Sequence, residues 1–306
     1  MTQSISADLH IDLNTCPAQF PGKDVYAVAG NPITHSKSPL IHQRFAQQSQ
    51  QKIHYGFLQP ELDAFKKTAD TFFSAGGKGM NVTVPFKLDA REFAHQLTPR
   101  AQLAGAVNTL YIQNAIIYGD NTDGAGLVRD LLVQGIALRG ARILLLGAGG
   151  ASRGVMGPLL EQAPKQLVIA NRSADKANEL VQLFGALATS HQVFLQSVAL
   201  GDLEKSANTN TPFDLVINAT AAGLTDESPI SDAAASTIFT SKSFAYDMVY
   251  GKTTAFMRQA LYRGARVSDG LGMLVEQAAD AFLIWRGADC SQKIDPRAVL
   301  NELRSL

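Results

Sequence analysis

A lysine and an aspartate carry the first chemical signal in this sequence. Lys87 follows a Pro-Phe turn in NVTVPFK, and Asp123 precedes a glycine at a helix start in GDNTDGAG. Singly, that Asp reads as an ordinary N-cap and that Lys as an ordinary solvated side chain. Together they form an acid/base set, because hydride transfer at a carbinol or ketone carbon needs a neighbouring group that gives or takes the oxygen's proton. Four segments hold the polar residues: HSKSPL, NVTVPFK, AVNTL and GDNTDGAG, with His35 the one histidine among them. Each follows a strand-like run, and loops at the ends of neighbouring strands cluster where open α/β sheets bind ligands. Ser36 and Ser38 suit a carboxylate or hydroxyl, and equally suit capping of the helix entered at Pro39 and Leu40.

A second centre is a glycine turn. Gly147, Gly149 and Ser152 take the three positions of GxGxxG directly after the apolar run ARILLL and at the mouth of a helix. Gly147 permits the tight turn, and Gly149 lets backbone approach a pyrophosphate. The helix beginning near Ala151 aims N–H groups and its dipole at that anion. An NAD site places an acid about 20 residues further on, at the end of the next strand. Here that strand ends in Asn171, Arg172 and Ser173, so a ribose 2′-phosphate meets a guanidinium and no carboxylate. The expected cofactor is NADP. A ligand-free glycine turn and an Arg172 that merely decorates the surface are the plainer readings, and Lys176 one turn on reads equally as a solvated residue.

The elements that must position these residues follow a β/α rhythm. Strand patterns fall at VYAVAG, at 55–58, in GMNVTVP and in the pair NTLYIQN and AIIYGDN. Helices are predicted at about 40–50, from Pro60 to Phe73 and at about 124–134. A second series, from ARILLLG through LVIANRS (with a helix at about 174–184), 193–195, DLVINAT and FAYDMVY, has continuous apolar strands that predict a parallel sheet buried on both faces. The long apolar helix at about 271–285 must be buried and is expected to return to the first domain. The fold class is therefore α/β with two domains. These are a substrate domain at 24–123 plus 268–306 and a Rossmann-like NADP domain at 124–267, preceded by an extension at 1–23.

Composition narrows the partners. With 306 residues, 46% hydrophobic and 18% charged, the chain is long and apolar enough for two folded domains. Lys plus Arg and Asp plus Glu both total 27, which removes the usual footprint of nucleic-acid binding. The two cysteines, Cys16 and Cys290, suit a reducing compartment and form no thiolate cluster, and no HExxH occurs, so no metal is expected. The first twenty residues lack a signal-peptide pattern, and no apolar run is long enough to span a bilayer, so a cytoplasmic protein without membrane association is expected. The partner is a small molecule; a homodimer is compatible with the sequence.

SKSP, NVTVPFK, AVNTL, NTDGAG, GAGGASRG, NRS, DMVY and DGLGMLVEQAA stand in the order seen in shikimate dehydrogenases, and from about Asp24 to the C-terminus the sequence resembles that family. The resemblance implies reversible NADPH-dependent reduction of 3-dehydroshikimate to shikimate in aromatic amino acid biosynthesis. It casts Lys87 and Asp123 as the catalytic pair and Ser36 and Ser38 as carboxylate-binding, with Tyr250 contributed by the cofactor domain. Thr83, in the same motif as Asn81, resembles a holder of the ring hydroxyls, as do Asn108 and Gln277. Gly147, Ala148, Gly149, Gly150, Ala151, Ser152, Asn171, Arg172 and Ser173 form the implied cofactor site, with Met248 and Gly270 near the nicotinamide. Ser173 stands where Thr is commoner, Ala255 where Pro is frequent, and the first 23 residues have no counterpart. The rivals are an NAD-using quinate/shikimate dehydrogenase and a nucleotide-sensing protein that has lost the chemistry.

Overall fold

Alternating side chains of β1 (Asp24–Ala29) enter two different apolar layers. Val25, Ala27 and Ala29 join a cluster with Phe65, Phe72, Phe86 and Phe93, while Tyr26 and Val28 face Tyr55, Phe57 and Ile33. A strand buried on both faces has helices on both sides of its sheet. In the computed structural model, which describes residues 9–13, 19–204 and 211–306, this sheet belongs to one of two compact units, Met1–Gly126 with Leu274–Leu306; the other is Leu127–Met273.

The first unit adds β2 (Ile53–Leu58), β3 (Gly79–Val82), β4 (Gln96–Leu97), β5 (Thr109–Gln113) and β6 (Ile116–Asp120), in the order β2-β1-β3-β5-β6-β4. β1 pairs parallel with β2 and β3, whereas β5 is antiparallel to both β3 and β6. The β5–β6 hairpin turns at Asn114 and Ala115, both with positive φ, as a tight two-residue turn demands. Between the strands lie α1 (Ser38–Ser49), α2 (Phe65–Ser74), α3 (Lys87–Phe93) and α4 (Pro99–Ala104). α2 starts at Phe65, five residues after the Pro60 that the sequence suggests.

The second unit is entered through α5 (Asp123–Val133) and holds β7 (Arg142–Leu146), β8 (Gln166–Asn171), β9 (Phe194–Ala199), β10 (Leu215–Asn218), β11 (Phe244–Asp247) and β12 (Arg266–Asp269). All pairings are parallel in the order β12-β11-β10-β7-β8-β9, so the strand order reverses between β7 and β10, the switch point where such sheets bind dinucleotides. Its helices are α6 (Gly150–Glu161), α7 (Ala174–Ser190), α8 (Asp232–Ile238) and α9 (Ala255–Tyr262). α7 runs past Gly185, where glycine suggests a stop near Phe184; one interior glycine costs only about 1 kcal/mol and is tolerated.

α10 (Leu271–Arg286) and α11 (Pro296–Ser305) complete the chain. Residues from Leu274 onward belong to the first unit, where Trp285 donates to the Leu110 carbonyl at 3.2 Å, Arg286 pairs with Asp24 at 2.5 Å and Glu302 pairs with Arg44. Gly79 makes this possible, because a Cβ there would run into the Trp285 indole. The units divide inside α5 and α10, whereas the sequence reading puts the joins at 123/124 and 267/268; a continuous helical period carries no mark of such a division.

The extension differs from its reading as a loose segment. Leu9 accepts from Phe57 N at 2.7 Å, Ile11 N donates to the Phe57 carbonyl at 3.1 Å, and the Ile11 side chain is buried. Gly56 admits this pairing, since a Cβ there would collide with the Leu9 carbonyl. Phe20 stacks on His54 with centroids 3.5 Å apart. Cys16 and the remaining residues of the extension, 1–8 and 14–18, lie outside the described residues.

Candidate active site

Lys87 opens α3, and its carbonyl accepts from Val107 N at 3.0 Å, which pins the helix start to the strand-end loop that carries Asn108. Asp123 opens α5, with its N–H held by Asn121 Oδ1 at 3.1 Å. These anchors bring Lys87 Nζ to 2.5 Å from Asp123 Oδ2 across 36 residues of chain. The lysine side chain keeps 28% of its surface exposed and the aspartate 12%, so the ammonium has an open side. An ammonium has three N–H donors and Asp123 takes one, which leaves donors for a reacting oxygen.

The other Asp123 oxygen accepts from Asn108 Nδ2 at 2.8 Å. That amide group also reaches Thr122 Oγ1 at 2.9 Å and Gln277 Oε1 at 3.2 Å, while its Oδ1 accepts from Thr122 N at 2.9 Å. Gln277, on α10, donates to the Leu274 carbonyl one turn back. Beneath them, Asp120 accepts from Arg100 through both oxygens (2.6 and 2.8 Å), from Thr98 Oγ1 and from Asn121 N. Burial would raise the Asp120 carboxyl, but the Arg100 guanidinium and Thr98 hydroxyl outweigh it and hold it below the ordinary range. Asp280 accepts from the third guanidinium nitrogen, Arg100 Nη1, at 2.7 Å, so the strand end before Asp123 is fixed by a charged network.

Ser36 and Ser38 lie together: Ser36 Oγ donates to Ser38 Oγ at 3.2 Å and accepts from Ser38 N at the same distance. Asn81 Nδ2 donates to the Asn108 carbonyl and to Thr109 Oγ1, and Asn81 Oδ1 accepts from the Tyr55 hydroxyl at 2.8 Å. Thr83 is half-buried in the turn between β3 and α3, its N–H bonded to the Ala29 carbonyl. Thus Lys87, Asp123, Asn108 and Gln277 form one bonded cluster in the first unit, with Asn81 joined to it. Tyr250 falls in the second unit, half-buried, its phenol pushed up by burial.

In the second unit Gly147 has φ of +104° and its N–H bonds to the Ala170 carbonyl of β8. No atom lies within 4 Å of where a Cβ would stand at Gly149 or Gly150, so the start of α6 is open to an approaching anion. Ser152 is fully buried and donates to the Gly147 carbonyl at 2.8 Å, so its hydroxyl braces the turn from inside. Asn171 donates to the Ser173 carbonyl and so shapes the β8–α7 turn, which leaves Arg172 exposed. At Gly270 any side chain would strike the Met248 backbone, so these two residues are held in close register. Asp247 supports that loop, accepting from Val249 N, Thr254 Oγ1 and Asn218 Nδ2, and burial raises its carboxyl.

Sequence reasoning passes over Tyr55, Arg100, Asp120 and Asp247. Arg100 lies six residues before AVNTL, and Asp120 and Asp247 lie inside GDNTDGAG and DMVY, but a buried acid bonded to distant side chains has no local spacing signature. Among the described residues no group of three or more His, Cys, Asp or Glu is placed to hold a metal ion, and no helix is long and apolar enough to cross a membrane.

Fold and site define a chain of the dehydrogenase type, with one dinucleotide-binding parallel unit and one unit that carries a Lys–Asp polar centre. Three family profiles match it: the shikimate dehydrogenase substrate binding domain over residues 28–110, shikimate / quinate 5-dehydrogenase over 131–236, and the shikimate 5′-dehydrogenase C-terminal domain over 270–300. Shikimate dehydrogenase (NADP(+)) of Vibrio atlanticus is 50% identical over 285 residues, covering 92% of this chain and 96% of that protein. Among solved structures, an Ael1 enzyme from Pseudomonas putida superposes with a TM-score of 0.80 at 46% identity, covering 92% of this chain and 98% of the other. Shikimate 5-dehydrogenase from Thermus thermophilus, in complex with NADP(H) and shikimate, gives 0.78 at 30% identity, covering 92% and 99%. The chain belongs to the shikimate dehydrogenase family.

Proposed function

We propose that this protein catalyses the reversible NADPH-dependent reduction of 3-dehydroshikimate to shikimate, a step toward the aromatic amino acids, with Lys87 and Asp123 as its acid/base pair. The observation that carries the reading is the 2.5 Å contact between Lys87 Nζ and Asp123 Oδ2, with ammonium donors left over on an open side. NADP fits this chain: Gly149 and Gly150 leave the α6 N-terminus clear, and Arg172 stands exposed where an NAD site would carry an acid. When bound, the nicotinamide supplies or accepts the hydride.

A small polyol acid has little apolar surface, so its binding rests on charge-assisted and neutral hydrogen bonds. Ser36 and Ser38 donate to its carboxylate. Thr83, Asn108 and Gln277 hold ring hydroxyls. Lys87 donates a proton to, or stabilises charge on, the oxygen at the reacting carbon, and Asp123 aims the ammonium. Asn108 in turn fixes Asp123, so the pair is oriented before substrate arrives, which lowers the reorganisation that transition-state stabilisation requires. Met248 and Gly270 shape the nicotinamide end.

The test is direct: mix the purified protein with shikimate and NADP and follow the absorbance of reduced nicotinamide, then repeat with quinate and NAD. Turnover of the first pair supports the reading, and absence of turnover with it refutes the reading. The scarcity of cysteine suits a cytoplasmic location, checked by fractionation, and sedimentation distinguishes a monomer from a homodimer.

A further inference from the structure

We propose that Asp247 is a positioning residue for the nicotinamide end of the cofactor, its carboxylate tying the loop of Met248 and Val249 to the loop after β10 and to the start of α9. This deepens the reading that Met248 and Gly270 border the nicotinamide, and rests on it. Asp247 ends β11, at the carboxyl edge of the parallel sheet where dinucleotides bind, and it is wholly buried. A buried carboxylate is costly unless it is bonded, and this one accepts from three separate segments of the second unit.

The direction of each bond follows from what each atom can donate. Thr220 N reaches Asn218 Oδ1 at 3.1 Å, and because a backbone N–H only donates, the atom it meets is the amide oxygen. The Thr220 hydroxyl donates to the same oxygen at 2.7 Å. Asn218 Nδ2 is thereby turned to Asp247 Oδ2, to which it donates at 3.1 Å. Thr254 Oγ1 accepts from Met257 N in the first turn of α9 and donates to that carboxylate oxygen at 2.6 Å. Oδ1, the other oxygen, accepts from Val249 N at 3.0 Å. Two backbone bonds complete the hold on this loop: Met248 N donates to the Asn218 carbonyl, and the Val249 carbonyl accepts from Gly270 N at 3.1 Å. A carboxylate serves all three side-chain and backbone donors at once, and an amide cannot. With the oxygen of an asparagine toward Asn218 and Thr254, its NH2 faces Val249 N; with the oxygen toward Val249, its NH2 faces Asn218 Nδ2, whose direction Thr220 has fixed. Asp247→Asn therefore keeps the volume of the side chain and removes the bond that holds the Met248–Val249 loop or the one that holds the loop after β10.

Two measurements read this role. In the cofactor-free protein, amide hydrogen exchange at Val249 should be about tenfold faster in Asp247→Asn, the worth of one hydrogen bond, with the amides of β10 and β11 unchanged. In single turnovers, protein saturated with NADP is mixed with saturating shikimate deuterated at the reacting carbon, which keeps hydride transfer the slow step. The amplitude counts folded molecules, and the rate constant reads how the nicotinamide is placed. A residue with a purely architectural role moves the amplitude alone. The rate constant is expected to fall about ten- to hundredfold in Asp247→Asn, as for a misplacement of reacting groups. It should fall in the same direction in Thr254→Val, whereas Thr254→Ser, which keeps the hydroxyl, should match the wild type. A wild-type rate constant in Asp247→Asn, or unchanged exchange at Val249, overturns the proposal. If that variant does not fold, a wild-type rate constant in Thr254→Val does so. Wild-type protein that fails to oxidise shikimate refutes the functional reading instead, and does so before any variant is compared.

Discussion

His42 offers a quantitative check on how the first unit is built. Its ring is wholly buried against Tyr55, Phe45 and Trp285, and burial pulls its pKa down from 6.5 to about 3, with Asn81 opposing weakly. A depressed folded-state pKa means that the unfolded chain binds the proton first as pH falls. The stability contribution is therefore complete above about pH 6.5 and declines as pH drops from there toward 3. Between pH 7.0 and 5.5 the unfolded imidazole takes up most of one proton and the folded one almost none, which costs about 1.3 kcal/mol from this residue. His54, lowered to about 4 by burial and by Lys23, adds a slope of the same sign. Trp285 is the chain's one tryptophan and its centroid lies 5.2 Å from His42, so its fluorescence during urea unfolding reports on this unit. Replacing His42 with leucine, close to it in volume, shifts baseline stability by an amount that cancels when the two pH values are compared. The wild type should lose about 1.3 kcal/mol more than His42→Leu between pH 7.0 and 5.5. Equal losses in both proteins would refute the claim that this imidazole folds neutral.

Arg172→Ala should raise the KM for NADP about ten- to hundredfold, the worth of a hydrogen-bonded charged contact, and leave the KM for NAD nearly unchanged; parallel initial-rate measurements with the two cofactors check this. Asp120→Asn should lower the stability of the first unit by about 2 kcal/mol, less than a fully buried ion pair because the Arg100 side chain keeps a third of its surface exposed. Trp285 fluorescence during urea unfolding reads that loss, and an unshifted midpoint would contradict the bracing role of the Arg100–Asp120 pair.

Much of this arrangement can be read in the sequence because its periodicities are strong. The continuous apolar strands LLL and LVIA give the parallel sheet, and the apolar stretch from Leu271 to Trp285 signals a helix that needs burial. Weak elements escape. α3, α4 and α8 are six or seven residues long, too short for helical periodicity to emerge, and they form because caps and packing hold them, such as Thr98 on Ala101 N and Ser231 on Ala234 N. Residues 9–13 pair with β2 through backbone bonds that any sequence can make, and the only trace of this is a glycine at position 56. The polar centre divides in the same way. Lys87, Asp123, Asn108 and Gln277 stand in motifs whose types speak for chemistry. Tyr55 and His42 sit in strand and helix patterns where an aromatic residue reads as core, and only the structure reveals the bond from the Tyr55 hydroxyl to Asn81 Oδ1.

The proposed acid/base role requires Lys87 and Asp123 to act as one unit on the reacting oxygen. The decisive measurement is a double-mutant cycle on kcat for shikimate oxidation with NADP, using Lys87→Met, Asp123→Asn and the combined variant, each confirmed folded by Trp285 fluorescence. Each single change should lower kcat by about 10² or more, and the combination should fall little further than the worse single, as expected for groups that work together. Single-variant rates within a few fold of wild type, or losses that multiply in the double variant, would contradict it.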